Sequence, residues 1–138
     1  MPGRNLRPSI LLPFVLGAAL FGSIAAAADL PEQSNQANGV TVSVKPVDLT
    51  AAAKAWTFSV TLNTHTGDLS DDLTRTATLV DASGKPQRPT GWQGSAAGGH
   101  HRSGMLRFKP LSPRPDALEL RMARPGETAP RTFRWKLN

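Results

Sequence analysis

Residues 56–62 read Trp-Thr-Phe-Ser-Val-Thr-Leu. In an extended chain Trp56, Phe58, Val60 and Leu62 fall on one side, and Thr57, Ser59 and Thr61 on the other. A period of two in β-branched and aromatic residues predicts a strand with one face buried. The same signal recurs on either side. Upstream, Val40, Val42 and Val44 alternate with Thr41 and Ser43. Downstream, Ala77 and Leu79 share a side, as do Leu106 and Phe108, then Leu118, Leu120 and Met122, and finally Phe133, Trp135 and Leu137. A further short segment, 87–94, holds Pro89, which removes a ladder donor and suits an edge. The segments are separated by stretches such as DASGKP (81–86), PLSPRPD (110–116) and RPGETAP (124–130), rich in turn residues. Leu69 and Leu73 lie four apart, so a single helical turn would point both inward.

About seven short strands with frequent turn signals and almost no helical period predict an all-β chain. The architecture expected is an immunoglobulin-like antiparallel β-sandwich over residues 39–138. Trp56 and Trp135 are expected in the core, and Trp92, beside a glycine-rich stretch, as a cap on it. Residues 29–38 (DLPEQSNQAN) are polar without an apolar period and read as a flexible leader. Residues 1–28 combine Arg4 and Arg7, an apolar run and a small-residue end, which describes a cleaved signal peptide. The expectation is therefore a periplasmic or secreted protein, without stable membrane insertion after cleavage. The chain has no cysteine, so its stability must come from a hydrophobic core, which about 100 residues can build.

The formal charge is +6, and loss of Arg4 and Arg7 with the signal removes two of those charges. No run of five or more basic residues appears, and no aromatic–basic platform, so nucleic-acid binding is not expected. Gly-x-Ser-x-Gly elbows, phosphate-cradling loops and paired catalytic carboxylates are absent as motifs, and the chain reads as non-enzymatic and monomeric.

The chemistry-bearing residues gather in two loops. NTHTGDLSDDLT (63–74) contains His65, and SAAGGHHRSG (95–104) contains His100 and His101; the chain has three histidines in all. In an antiparallel sandwich successive loops alternate between ends, so these two should meet at one end, together with the turn around Glu127. Imidazoles with carboxylate or thioether donors suit a transition metal, copper before zinc in a thiol-free protein. The candidate ligands are His65, His100, His101, Asp68 and Met105. The segment DLSDD (68–72) offers oxygens, but without the spacing of a calcium loop. The rival reading makes the loops architectural. There Asp68 or Ser70 caps a short helical turn, Asp71 and Asp72 lie near its amino end, and Arg102 and Trp92 meet a protein or cell-envelope partner. Under the metal reading the partner is a metal-transfer protein.

The joined pattern of Trp56–Leu73 (W-F-V-L-THT-DL--DL) and Trp92–Phe108 (W-G---GGHHRSG-L-F) resembles a group of small exported bacterial proteins with immunoglobulin-like sandwich domains. The likeness covers about a third of the exported chain and implies fold and export, not activity. A looser likeness is to periplasmic copper-carrier sandwiches. Those use a histidine at the exported N-terminus, and this chain has none near Ala28 or Asp29.

Overall fold

The computed structural model describes Gly3 and residues 29–138, so the expected signal peptide, apart from Gly3, lies outside the described residues. Nine strands and one helical turn follow in order. They are β1 (Gln33–Ala37), β2 (Val40–Asp48), β3 (Trp56–Thr64), α1 (Leu73–Thr76), β4 (Ala77–Val80), β5 (Pro86–Gln87), β6 (Gly91–Gly94), β7 (His101–Phe108), β8 (Ala117–Met122) and β9 (Arg131–Lys136). One antiparallel sheet has the order β1-β2-β3-β7-β6 and the other β5-β4-β8-β9. β2, β3, β7 and β6 stand where an immunoglobulin domain has A, B, E and D, and β4, β8 and β9 where it has C, F and G. The fold is the expected immunoglobulin-like sandwich, with strands added at two edges. Among the described residues no helix is long and apolar enough to cross a membrane.

The alternating residues meet between the sheets. Val42, Val44, Trp56, Phe58, Val60, Leu62, Leu79, Leu106, Phe108 and Leu120 are fully buried, and Leu118, Phe133 and Trp135 nearly so. Phe58 lies edge-on to Phe108 at 5.7 Å and tilted to Trp135 at 5.6 Å. Burying each such side chain contributes about 1.5–3 kcal/mol, which is how a chain without disulfides holds together. Leu69 and Leu73 close one end of this core, both buried.

Three expectations are corrected. Residues 29–38 are not a flexible leader throughout, because Gln33–Ala37 pair with β2 from Gln33↔Val44 to Ala37↔Val40. The hairpin turns through Asn38 and Gly39, both at positive φ (49° and 73°), the Asn-Gly turn that matches strand twist. Segment 87–94 is not one strand: β5 joins one sheet and β6 the other, with Pro89 in the crossing. The loop expected at 95–104 ends early, since β7 begins at His101 and pairs with β3 from Asn63↔His101 onward.

Candidate functional site: a loop end held by buried arginines

The 65–72, 95–100 and 123–130 loops and the Asn38–Gly39 turn all emerge at one end of the sandwich. The first two are joined by backbone hydrogen bonds. The Thr64 amide donates to the His100 carbonyl at 2.9 Å, Leu69 to Gly99 at 3.0 Å, and Gly98 to Leu69 at 2.8 Å. Gly98 and Gly99 have φ of 111° and 75°, a region side chains resist, so the glycines give the loop this path. Asp68 is part of the same seam, its Oδ1 accepting from the Gly99 amide at 2.8 Å.

Beneath the seam lies a chain of buried charges. Asp71 is 1% exposed, and its carboxylate accepts from Arg124 Nε at 2.8 Å and Nη2 at 2.9 Å. Arg124 also reaches Glu127 at 3.3 Å. Glu127 in turn accepts from Arg131 Nε at 3.0 Å and Nη2 at 2.6 Å. Arg131 is 4% exposed and donates to the carbonyls of Val40 and Ala37, each at 2.7 Å, and of Asn35 at 3.2 Å. Asp71–Arg124–Glu127–Arg131 thus links the 65–72 loop, the 123–130 loop, β9 and the β1–β2 turn. The Arg131 hydrogen bond, followed by the Arg131 charge, an Asn38 hydrogen bond and the Arg124 charge, outweighs burial and holds the Glu127 carboxyl below its ordinary pKa.

Arg102 is a second brace. It lies on the inward phase of β7, and its Nη1 donates to the carbonyls of Leu69 at 3.0 Å and Asp71 at 2.7 Å. The guanidinium sits 5.6 Å from the centroid of the Trp92 ring, within cation–π range. Trp92 caps the 95–100 loop as expected, donating from Nε1 to the Ser95 carbonyl at 3.0 Å. A methyl group on Gly104 would stand 2.8 Å from the Trp92 ring and 2.6 Å from the Gln93 carbonyl, so the paired glycines 94 and 104 make the space. Arg102 is only 3% exposed, so it holds the loop and offers no surface to a partner. Trp92 is half-buried.

His65, His100 and His101 are exposed at this end, and the His101 ring hydrogen-bonds the Asn63 amide oxygen across the β3–β7 pair. The expected ligand set does not come together. Met105 is four residues along β7 from His101, about 13 Å at strand rise, whereas an ion draws its nitrogen ligands to about 2 Å. Asp68 is engaged by Gly99. Among the described residues no group of three or more His, Asp or Glu is arranged to hold a metal ion. The helical turn is capped by Asp72, not Asp68 or Ser70: its carboxylate accepts from the Thr74 amide at 3.1 Å and hydroxyl at 2.6 Å. The Thr74 hydroxyl lowers the Asp72 pKa, helped by the neighbouring amides and Arg75.

The sequence reading missed the roles of Arg124 and Arg131. Their one sequence signal was three arginines on apolar phases or beside them, Arg102 in line with Leu106 and Phe108, Arg124 after Met122, and Arg131 in line with Phe133 and Trp135.

No protein-family model matches the chain, and no curated protein matches it. Among solved structures it is similar to the crystal structure of a DUF4426 family protein from Pseudomonas aeruginosa PAO1. The TM-score is 0.47 at 16% identity, covering 76% of this chain and 96% of that one.

Proposed function

We propose that the chain is an exported, non-enzymatic recognition module that meets a protein or cell-envelope partner through the rim formed by His65, His100 and His101. The observation that supports this reading is the contrast within the loop end. Its backbone is held by buried ion pairs and loop-to-loop hydrogen bonds, while all three imidazoles face solvent. A surface fixed before contact loses little conformational entropy on binding. Trp92 and Arg102 belong to the scaffold that presents the rim.

A photo-crosslinking residue at position 65 or 100 in the living cell tests this. One discrete adduct from those positions, absent when the crosslinker stands at Ser43 on the open sheet face, is the expected result. Equal background from all three positions overturns it.

Copper or zinc remains a second reading because every histidine of the chain lies on this rim. It requires the three rings to turn toward one point, without Met105; the His101 Nδ1 contact to Asn63 leaves Nε2 for the ion. Calorimetric titration of residues 29–138, beside a variant with all three histidines changed to Ala, tests it. Exposed side chains carry little of the fold, so the variant should stay within about 0.5 kcal/mol of the original stability. Stoichiometric binding lost in that folded variant supports a metal protein; identical traces exclude the rim as a metal site.

A further inference from the structure

The end opposite the histidines carries an uneven share of charge. Six cations in residues 29–138 are paired with carboxylates: Lys45, Arg75, Arg121, Arg124, Arg131 and Arg134. Among the described residues eight others form no such pair, and apart from Arg102 and Arg107 they all sit in or beside the loops of the opposite end. Three of them, Lys85, Arg88 and Lys109, are exposed and line a single cleft of about 570 Å³ between the 81–88 hairpin and the 109–112 segment. The cleft walls are joined by Gln87, whose side-chain amide donates to the Lys109 carbonyl at 2.5 Å. Pro86, Pro110 and the half-buried Leu111 supply an apolar lining.

Asp81 is the one acid in the cleft, and its carboxylate is turned into its own hairpin. It accepts from the Ser83 amide at 2.9 Å, the Ser83 hydroxyl at 2.5 Å and the Lys85 amide at 3.2 Å. Three cationic side chains therefore face solvent around an apolar lining, against one internally satisfied carboxylate.

We infer that this cleft docks an acidic, extended peptide segment of a protein partner, with carboxylates at Lys85, Arg88 and Lys109 and one apolar side chain against Leu111 and the two prolines. Charge complementarity sets the sign of the partner. The recessed apolar lining favours a peptide over a phosphate-rich polymer or membrane surface, because neither of those presents a single apolar side chain beside its charges. The surface is at the other end from the histidine rim, so the inference stands or falls separately from the reading given above.

The test is fluorescence anisotropy of a labelled Glu-rich peptide with a central Leu, titrated with the chain over residues 29–138. Saturable binding is expected that weakens steeply between about 0.05 and 0.5 M salt. The variant Lys85→Glu/Arg88→Glu/Lys109→Glu, all exposed positions, should weaken it at least about tenfold. Replacing the peptide's Leu by Gly should weaken it about fivefold in the unchanged protein. Circular dichroism confirms that the variant is folded, and the single Arg88→Glu variant repeats the measurement with less perturbation. Equal affinity of original and charge-reversed proteins, or no saturation at low salt, overturns the inference. Equal affinity of the Leu and Gly peptides overturns the apolar subsite and leaves charge attraction alone. Capture by phosphatidylglycerol vesicles without peptide binding assigns the cleft to an anionic membrane instead.

Discussion

Asp71 and Asp72 are neighbours in the chain with different work. Asp72 is exposed and caps one helical turn, whereas Asp71 is buried and holds Arg124 through two hydrogen bonds. Changing Asp71 to Ala leaves a buried guanidinium with only the 3.3 Å contact to Glu127, and breaking a buried pair from one side costs about 3–5 kcal/mol. Asp68→Ala removes one exposed hydrogen bond to Gly99 and should cost about 1 kcal/mol. Urea unfolding of both variants measures the contrast; similar losses would mean that Asp71 and Arg124 are not coupled as the structure shows. None of this was legible locally. An acidic pair at a loop looks the same in sequence whether one member is solvated or buried. The choice rests on an arginine 53 positions away.

At the scale of elements, alternation identified most strands and their buried phases, because side-chain direction in a strand repeats every two residues. It failed at β1. Gln33, Ser34, Asn35 and Gln36 have no apolar phase, so their pairing shows only in backbone hydrogen bonds to β2 and in the contacts beyond it. Those contacts are specific. Arg131 donates to the carbonyls of Asn35 and Ala37, and the Gln33 side chain bridges to the Arg134 backbone, donating to its carbonyl and accepting from its amide at 3.0 Å. Deleting residues 29–38 should therefore cost about 2–4 kcal/mol, since it strips acceptors from a buried guanidinium as well as removing a strand. A calorimetric melt of the truncated chain checks this. An unchanged melting temperature would return 29–38 to the status of a passive leader. Asn38–Gly39 was the signal that could have found the hairpin, but it stood between a polar run and an apolar one instead of between two alternating segments.

For the whole molecule, the two ends differ in how charge is handled, and pH exposes the difference. Glu127 is held low in pKa chiefly by its Arg131 hydrogen bond, and Glu119 by that of Arg134. A carboxyl whose pKa is depressed in the folded state stabilises it fully above the unfolded value, about 4.3 for Glu. That stability is lost as pH falls through the lower, folded value. The urea midpoint should thus be level near neutrality and decline below about pH 4.5. Glu127→Gln should be less stable at neutral pH and show a shallower acid decline, because its carboxyl no longer titrates. Glu119 lies between exposed arginines, so solvent screening makes its share smaller. An acid slope unchanged in Glu127→Gln would place the loss elsewhere.

The amino-acid sequence by itself determined the fold class, the phase of the main strands and the meeting of the two histidine loops at one end, since each follows from periods and alternations read along the chain. Tertiary structure alone decided which polar residues are buried, that Arg102 braces a loop instead of greeting a partner, and that Met105 stands a strand's length from His101. Those outcomes depend on pairs such as Asp71 with Arg124 and Asn35 with Arg131, brought together only when two sheets close over a core. Burial then raises the energy of leaving either member alone.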